Sequence, residues 1–423
     1  MGARGWGYRD VLPYFKKSES WPGGADQWHG GDGPIHVENA RWQTPLGEAF
    51  IAAAMDALDL PRNDDFNGPT ADGAGYWPLN TKRGRRSSTA EAYLKPNRNR
   101  PNLHILTEAF VTRIEFEGRE AVGVVYEQGG QTRRARANRE IVLSAGALQT
   151  PQLLQVSGIG PGHLLARYGI TPVRELKGVG ENLMDHVQVA RIYETDSRDT
   201  LNAKVRTYLG QFLGGVEYYV GPRRGPLTIG ASLAGAYFRS RPGLEFPDMH
   251  LHFLPYAPGE KGYDLSRKSG FRFGMYPSRP KSRGHVRIIS ADMREQPEIL
   301  FDHLSHEEDV RTVLDGLRVA GRIAQAPALQ KIGVKEVAPG RRDQDDAELL
   351  AYVRETAATS FHYSGTARMG EDDMAVVDPE LRVRGIGGLR VIDASVMPTI
   401  ASGNTNPPVV MIGEKGADLL RGR

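Results

Sequence analysis

The chain has 423 residues, of which 39% are hydrophobic and 25% charged, with a formal net charge of +3 and no cysteine. This length allows two or three domains with a large core, and the 50 glycines and 27 prolines indicate a fold rich in turns rather than a helical bundle. The lack of cysteine excludes disulfides, thiolate catalysis and cysteine-ligated metals, and no apolar run is long enough for a transmembrane helix.

The basic residues are scattered apart from two short runs, at residues 82–86 and 133–139. Neither run is interleaved with aromatic residues, so both are interpreted as solvated turns, and no nucleic-acid partner is predicted. A chain without cysteine is compatible with the reducing cytoplasm, which is the predicted location. Peripheral contact with a membrane surface stays open.

Residues 1–95 are predicted to form a lid and a flanking excursion. They are rich in Gly and Trp and carry a short predicted helix over residues 10–18. An amphipathic helix is predicted over residues 44–58, with Thr44 as its cap, and a further helix over residues 88–94.

Residues 96–188 are predicted to be part of a dinucleotide-binding domain. Period-two alternation predicts a β meander over residues 102–126, and residues 140–146 form an apolar strand that ends in glycine and leads into a helix. Strand, glycine turn and helix make half of a dinucleotide-binding crossover. The other half is a G-x-G-x-x-G loop, and the candidates that begin at Gly158 and Gly178 both lack the third glycine.

Residues 189–375 are predicted to be a substrate-binding domain with a mainly antiparallel sheet. Its strands are predicted over residues 247–255, 271–276 and 285–289, and its helices over residues 306–324 and 344–356.

Residues 376–423 are predicted to return to the dinucleotide-binding domain, which is therefore discontinuous. A buried strand over residues 389–392 leads to Asp393, and ligands of open α/β sheets lie at the carboxyl ends of the strands. The alternative for Asp393 is an acid that only caps a loop.

The chemistry of the chain is predicted to lie in residues 361–413. His362 is a candidate base, and Asn404 is a candidate oriented amide. Asn406 is predicted to cap a helix that has Pro407 and Pro408 in its first turn. The amino end of such a helix favours an anion.

Two histidine pairs could each supply two metal ligands. His250 and His252 share one face of a predicted strand, and His303 and His306 lie near a helix start. Neither pair belongs to a metal-binding motif, so both are interpreted as structural. Ser144 lies in LSAGA rather than in G-x-S-x-G, which disfavours a hydrolase.

Several long blocks follow one another along most of the chain. They are GALQTPQLLQVSGIGP (146–161), GVGENLMDH (178–186), RPKSRGHVRI (279–288), VVDPELRVRGIGGLRVIDASVMP (376–398) and GNTNPPVVMIGEKGADLL (403–420). In this order they resemble the glucose-methanol-choline (GMC) oxidoreductases, which are flavoproteins that oxidise alcohols. The last block is most similar to the branch of choline and aliphatic alcohol dehydrogenases.

The resemblance implies an α/β plus α+β fold, with a Rossmann-like FAD-binding domain and an antiparallel-sheet substrate domain. FAD is the implied cofactor, a small-molecule alcohol the implied substrate, and a quinone or oxygen the electron acceptor. The family's G-x-G-x-x-G segment would precede residue 1, so the FAD-binding domain is expected to be incomplete at its N-terminus. We therefore expect the 423 residues alone to bind FAD weakly or not at all.

The resemblance also assigns roles to individual residues. His362, in FHYSGT, matches the family's base, and Asn404 matches its partner, which would hold the alcohol oxygen while hydride passes to flavin N5. The implied cofactor contacts are Val111 and Gly146 at the adenine end, Asp393 with Ala394 near the ribityl and pyrophosphate region, and Phe361, Asn406 and Pro407 at the flavin ring.

Two alternatives to an alcohol dehydrogenase stay open at this point. One is a truncated, FAD-free remnant without catalytic activity. The other is a hydroxynitrile lyase on the same scaffold, because some members of the family cleave hydroxynitriles without net redox change.

Overall fold

The structure is a computed structural model that describes residues 2–230, 232–259, 264–343 and 345–422. Its α-helices are α1 (Tyr8–Ser18), α2 (Pro45–Leu58), α3 (Lys95–Asn97), α4 (Gly146–Val156), α5 (Gly162–Arg167), α6 (Leu201–Val205), α7 (Tyr208–Tyr219), α8 (Glu307–Gln325), α9 (Pro327–Gln330), α10 (Asp346–Thr356) and α11 (Asn406–Leu420). Shorter turns of 3-10 helix cover Pro226–Thr228, Gly340–Asp343 and Ala394–Val396, and a π-helix covers Ala90–Leu94.

The strands are mostly short. They are β1 (Glu19–Ser20), β2 (Ile35–His36), β3 (Gly73–Tyr76), β4 (Thr81–Lys82), β5 (Arg85–Arg86), β6 (Phe110–Glu117), β7 (Glu120–Gln128), β8 (Gln131–Arg136), β9 (Ile141–Leu143), β10 (Ile159–Gly160), β11 (Arg174–Glu175), β12 (Glu181–Leu183), β13 (Val187–Glu194), β14 (Ala234–Phe238), β15 (Met249–Leu254), β16 (Gly270–Pro277), β17 (Gly284–Arg287), β18 (Glu298–Leu300), β19 (Lys335–Ala338), β20 (Ala358–Thr359) and β21 (Leu389–Val391).

An antiparallel sheet of seven strands dominates the middle of the chain. Its order is β19-β13-β16-β15-β14-β3, and β20 pairs with β13. The predicted antiparallel sheet is confirmed, although the predicted strand over residues 285–289 is β17, which lies in a separate sheet with β12 and β18.

The two faces of this sheet have different surroundings because successive side chains of a strand point to opposite sides. Residues 249, 251 and 253 of β15 and residues 271, 273 and 275 of β16 are all fully buried and belong to one apolar core with α2 and α8. Phe50 of α2 stacks on Phe253, with ring centroids 4.8 Å apart, and lies 5.4 Å from the ring of Phe273. The helices therefore cover one face of the sheet and leave the other face for the site.

Replacing Phe50 by Ala should lower the free energy of unfolding by about 3–5 kcal/mol, because the ring is fully buried between aromatic neighbours. Equilibrium denaturation in urea would measure the loss. Ala52→Ser on the exposed side of the same helix is the matched control and should cost about 0.5 kcal/mol or less. Equal losses for the two variants would contradict the packing described here.

The start of α2 agrees with the sequence. Thr44 is its N-cap and accepts a hydrogen bond from the backbone N–H of Gly47 at 3.0 Å, while Pro45 occupies the first turn. Helices α1, α4, α8 and α10 also lie where the sequence predicts helices. Gln344, where the sequence predicts the last of these to start, lies outside the described residues.

A second core holds the ends of the chain together. Strands β9 and β21 pair in parallel, Leu389 opposite Ile141, and so join residues about 250 positions apart. Helix α1 packs on α11, and Lys17 reaches Glu414 at 2.9 Å. The α/β plus α+β fold class is thus confirmed, while the division at residues 95, 188 and 375 stays a prediction.

Two local predictions are wrong. The meander begins at Phe110 rather than at residue 102. The run at residues 133–139 is not a turn, because residues 133–136 belong to the edge strand β8, which is exposed throughout. The helix predicted over residues 88–94 is present as a π-helix over Ala90–Leu94. The arginines of β8 suit an exposed edge strand, since charged residues discourage pairing with other chains.

Across the described ranges, no helix combines the length and the apolar composition that crossing a membrane requires.

Candidate active site

Three rings lie in one line across the free face of the large sheet. The register pairs Tyr237 of β14 with His250 of β15, and His250 with Tyr276 of β16. Tyr237 stacks on His250 with centroids 4.1 Å apart, and the Tyr276 hydroxyl lies 2.6 Å from His250 Nδ1. Strand pairing alone therefore places these side chains next to each other.

His186 and His362 continue this line. His186 stacks on Tyr276 with centroids 4.3 Å apart, and its Nδ1 lies 2.9 Å from Nδ1 of His362. The backbone N–H of His362 donates to Oδ1 of Asp185 at 2.9 Å. Asp185, His186 and His362 are all buried, so the contact of the backbone with Asp185 and the contact of the ring with His186 together fix the position of the His362 ring.

The hydrogen bonds decide which nitrogen of each imidazole carries a proton. The carbonyl of Ser278 can only accept, so His186 Nε2, 3.1 Å away, is the donor. Burial, helped by the charge that His362 can carry, lowers the pKa of His186 to about 3, so His186 is neutral and its Nδ1 is an acceptor. The proton between the two Nδ1 atoms therefore belongs to His362. In neutral His362 this leaves Nε2 with a free lone pair.

Asn404 faces this lone pair. Its Nδ2 lies 3.4 Å from His362 Nε2, and its Oδ1 lies 3.3 Å from the hydroxyl of Tyr276. The amide can donate to the imidazole and accept from the tyrosine, which in turn accepts from His250 Nδ1. Each group in this series donates to the next: His250 to Tyr276, Tyr276 to Asn404, and Asn404 to His362. The series ends at Nε2 of His362, which is therefore the final acceptor and the base of the cluster.

Burial keeps the surrounding groups uncharged. It lowers the pKa of His252 to about 3 and the pKa of His250 well below its usual value. It raises the pKa of Tyr276 well above the usual range of a phenol. It also lowers the pKa of His362, with the charge of Asp185 acting in the opposite direction. His362 is therefore an unprotonated imidazole near neutral pH.

The ring of Trp77 closes one side of the cluster. It meets His250 edge-on at 4.9 Å and lies 5.6 Å from His252. Position 235 must be glycine, because a Cβ atom there would come within 2.1 Å of the indole. In the part of the chain that the structure describes, no group of three or more His, Asp or Glu side chains is placed to hold a metal ion.

Asp185 is the nearest charged group. Burial alone would raise its pKa, but its contacts with His303 and Thr359 and the N–H of His362 outweigh burial and hold the pKa below the usual value. Nε2 of His303 lies 3.4 Å from Oδ2 of Asp185. His303 thus contacts the site only through Asp185. His306, with which His303 formed a candidate metal-ligand pair in the sequence, caps α8 instead.

The loop that follows His362 runs along the segment that follows β21. The N–H of Gly365 donates to the carbonyl of Ala394 at 3.2 Å, and the N–H of Ala367 donates to the carbonyl of Ser395 at 2.9 Å. These bonds tie His362 to the carboxyl end of the parallel strand pair.

Asp393 organises this strand end through its own hydrogen bonds. Its Oδ2 accepts from the N–H of Gly146 at 2.9 Å and from the hydroxyl of Thr150 at 2.6 Å. Its Oδ1 accepts from the N–H and the hydroxyl of Ser395 at 2.8 and 2.5 Å. The carboxylate therefore shapes the turn between β9 and α4 and caps the turn at Ala394. These bonds agree with the alternative in which Asp393 caps a loop.

The start of α11 differs from the prediction. Thr405, not Asn406, is the N-cap, and its side chain makes no capping bond. Pro407 and Pro408 have no N–H, so Asn406 carries the only backbone donor among the first three residues of the helix. The amino end keeps its dipole but offers fewer free donors than the sequence suggested.

The residues present fit an FAD molecule along this open edge. Phe361 is 75% exposed and has a φ of 60°, a left-handed conformation that is unusual for a bulky residue and marks a strained position. Asn406 and Pro407 are also exposed. Gly146 has a φ of 82° and no atom within 4 Å of the position of a Cβ, so the turn before α4 has free space beside it. An exposed ring and an open turn suit a planar, elongated cofactor.

The sequence-predicted residues are only partly brought together. His362 and Asn404 are in contact, and Gly146, Asp393 and Ala394 share one loop cluster. Val111 lies farther along, on β6 opposite Tyr126, in the meander that packs against α4. The individual cofactor contacts stay predictions.

Sequence reasoning missed the two residues that precede β13. Asp185 and His186 stood inside the block GVGENLMDH, which was considered for its glycines and its family resemblance but not for this acid and base. Their adjacency was the available signal, since an acid and a base side by side before a buried strand are costly unless paired. His250 and His252, predicted to be structural, lie at the site.

Comparisons with known proteins place this geometry in a family. The family model for the N-terminal part of GMC oxidoreductases matches residues 1–188, and the model for the C-terminal part matches residues 280–413. The chain belongs to the GMC oxidoreductase family. An oxygen-dependent choline dehydrogenase of Escherichia coli is 42% identical to this GMC chain over 431 residues, which cover 100% of the chain and 75% of that relative.

Solved structures of other flavoenzymes share the GMC fold. The pyridoxine 4-oxidase of Mesorbium loti superposes with a TM-score of 0.87 at 29% identity and covers 99% of this chain and 78% of its own. A formate oxidase variant of Aspergillus oryzae RIB40 superposes with a TM-score of 0.90 at 25% identity and covers 100% of this chain and 79% of its own. The predictions of the GMC family, of FAD as the cofactor and of an FAD-dependent alcohol oxidoreductase are confirmed, and neither the remnant nor the lyase is favoured.

Proposed function

We propose that this site oxidises a small alcohol of the choline type, with His362 Nε2 as the base that removes the hydroxyl proton. The observation that carries the proposal is the lone pair on Nε2 of His362. It is fixed because His186 donates to the carbonyl of Ser278 and accepts from Nδ1 of His362, and it faces the amide of Asn404.

The alcohol hydroxyl would bind between His362 and Asn404. The distance of 3.4 Å between Nε2 and the amide nitrogen is long for a hydrogen bond, so a hydroxyl group can replace this contact at little cost. The hydroxyl donates to Nε2, and the amide of Asn404 donates to the alcohol oxygen. As the proton moves to Nε2, the imidazolium that forms is stabilised by the carboxylate of Asp185 nearby.

FAD, when bound, accepts the two electrons and the hydrogen that leave the alcohol carbon. Phe361, Asn406 and Pro407 would hold its ring beside His362, and Gly146 with Asp393 and Ala394 would hold its extended part. The roles of Phe361, Asn406 and Pro407 rest on their exposure. The roles of the other three rest on the loop cluster that they share, and all six roles rest on the resemblance to the GMC family.

The wall of the site fits a cationic or apolar group next to the hydroxyl. Trp77 and Tyr237 present aromatic rings, and the neighbouring histidines are neutral because they are buried. Aromatic faces attract quaternary ammonium groups, and neutral imidazoles do not repel them. The name of the relative, choline dehydrogenase, agrees with this chemistry.

The test is anaerobic reduction by choline of the protein supplied with excess FAD, measured as the loss of flavin absorbance. We expect choline to reduce the flavin faster than its uncharged isostere, in which a tert-butyl group replaces the trimethylammonium group. The preference should be about tenfold or more, because a desolvated cation–π contact is worth about 2 kcal/mol.

Other results would change the assignment in defined ways. Equal rates for the two compounds would remove the choline type and leave a general alcohol oxidoreductase. No flavin reduction by any alcohol would overturn the function. Oxygen uptake during turnover would assign oxygen as the electron acceptor, and turnover only after a quinone is added would assign a quinone.

A further inference from the structure

Helix α7 carries an apolar surface that no other part of the described chain covers. None of its residues is buried. Tyr208 is 91% exposed, Phe212 66%, Tyr219 74% and Val220, which directly follows the helix, 83%. Leu209, Leu213 and Val216 are also exposed. Large apolar side chains in such a number are unusual on the surface of a folded protein.

These side chains form one continuous stripe. At about 100° per residue, the positions from Tyr208 to Val220 that carry them fall within an arc of about 140°. The remaining arc carries glycines, Gln211, Glu217 and Tyr218. The helix is thus amphipathic, with its apolar side directed outward rather than to a core.

Basic residues flank the stripe at both ends. Lys204 and Arg206 precede α7, and Arg223 and Arg224 follow it. Glu217 is the only acidic residue between positions 200 and 228. An apolar face with positive charge at both ends complements a partner surface that is apolar below a negatively charged outer layer.

We propose that α7 is a docking element for an anionic lipid bilayer, lying in the plane of the headgroups with its stripe immersed. Helices of this kind bury their apolar side at the boundary of headgroups and acyl chains, and anionic lipids attract the basic residues beside them. Tyr208 and Tyr219 stand at the two ends of the stripe, and amphipathic rings of this type prefer that boundary. The inference does not depend on the proposed alcohol chemistry.

A bilayer fits this surface better than a second copy of the chain. Two copies that paired through α7 would bring their flanking arginines towards each other, and like charges in contact oppose association. A bilayer of anionic lipid has no such conflict. The helix, about 18 Å long, lies flat on a planar surface without any change in shape.

Hydrogen bonds hold the segment that carries α7 at both of its ends. Asn202 of α6 is buried, and its Nδ2 donates to the carbonyls of Ala257 and Ser266 at 2.9 Å each. At the other end, Arg41 donates to the carbonyls of Pro222 and Arg223 at 2.8 Å each. The chain then leads directly into β14, which carries Tyr237 of the site. Docking through α7 would therefore orient the substrate sheet towards the membrane.

Sedimentation of the protein with lipid vesicles tests the proposal. The protein should bind vesicles made of equal parts phosphatidylcholine and phosphatidylglycerol, and bind vesicles of phosphatidylcholine alone more weakly. The double variant Phe212→Ser with Leu213→Ser should lower the partition coefficient at least about tenfold. Arg206→Gln and Arg224→Gln should each lower it about fivefold in low salt.

Two control variants separate the stripe from a general effect on folding. Gln211→Ser changes the opposite side of the same helix and should bind as the parent does. Phe212→Trp keeps an amphipathic ring at the stripe and should also bind vesicles. If Phe212 served only folding, the Trp variant would fold no better than the Ser variant and would not bind. Binding that persists in the double Ser variant, or no binding by the parent protein, would overturn the proposal. A parent dimer that the double variant makes monomeric, without vesicle binding, would assign the stripe to a second copy and overturn it as well.

Discussion

Replacing His362 by Gln should lower kcat/KM by about 10²–10⁴-fold, the usual contribution of a general base. The amide fills the space of the ring but cannot accept a proton at the position of Nε2. The backbone N–H that donates to Asp185 is retained, so the loop from residue 362 to 370 should keep its place. Steady-state kinetics and the flavin content of the purified variant measure the two effects separately.

The pH dependence of kcat/KM gives a second measurement on the same variant. The active form of His362 is the neutral imidazole, so activity is present above its pKa and is lost as the pH falls through it. Burial lowers this pKa from the usual 6.5, so the acid limb of the parent enzyme should lie below pH 6.5. The Gln variant should lack this limb, because the group that titrates has been removed.

The matched control is His306→Asn. His306 caps α8 by accepting from the N–H of Glu308, and Asn is a good cap, so this variant should keep both its stability and its pH profile. A His362→Gln protein that holds FAD and turns over alcohol as fast as the parent would remove His362 from the role of base.

The sequence predicted those elements whose structure depends on local patterns. Thr44 followed by Pro45 and a run of apolar residues is a strong helix start, and the structure has the helix there. The strand that leads to Asp393 and the helix that starts near Pro407 were predicted for the same reason. Position 133 was assigned wrongly because charged residues in a short run suit a turn and an edge strand equally.

The pairing partners within the site could not be predicted, because they depend on strand register and on contacts between distant residues. His250 meets Tyr276 only because β15 and β16 pair in one register, and a shift of one strand by one residue would turn its side chain to the other face. His186 and His362 are 176 positions apart. His362 and Asn404 were candidates from the sequence, and the family resemblance assigned their roles. The tautomer that makes His362 a base required the carbonyl of Ser278.

His186 should therefore affect kcat, although it contacts Nδ1 of His362 and not the alcohol. In His186→Leu the Nδ1–H of His362 loses its acceptor and stays buried without a partner, so the imidazole gains nothing from keeping its proton on Nδ1. The tautomer with the proton on Nε2 then competes, and it cannot act as a base. Loss of a buried partner that orients a histidine typically costs about 10–100-fold, and we expect a fall of this size in kcat.

His186→Asn distinguishes the tautomer from simple packing. The amide oxygen of Asn can take the place of Nδ1 and accept from His362, so this variant should recover most of the rate that His186→Leu loses. KM should change little in either variant, because His186 contacts Tyr276 and His362 rather than the proposed position of the alcohol. If the Asn variant were as slow as the Leu variant and both had lost FAD or stability, His186 would serve only packing. A selective recovery of kcat by Asn would instead show that an acceptor behind His362 sets the proton on Nδ1 and so makes Nε2 the base.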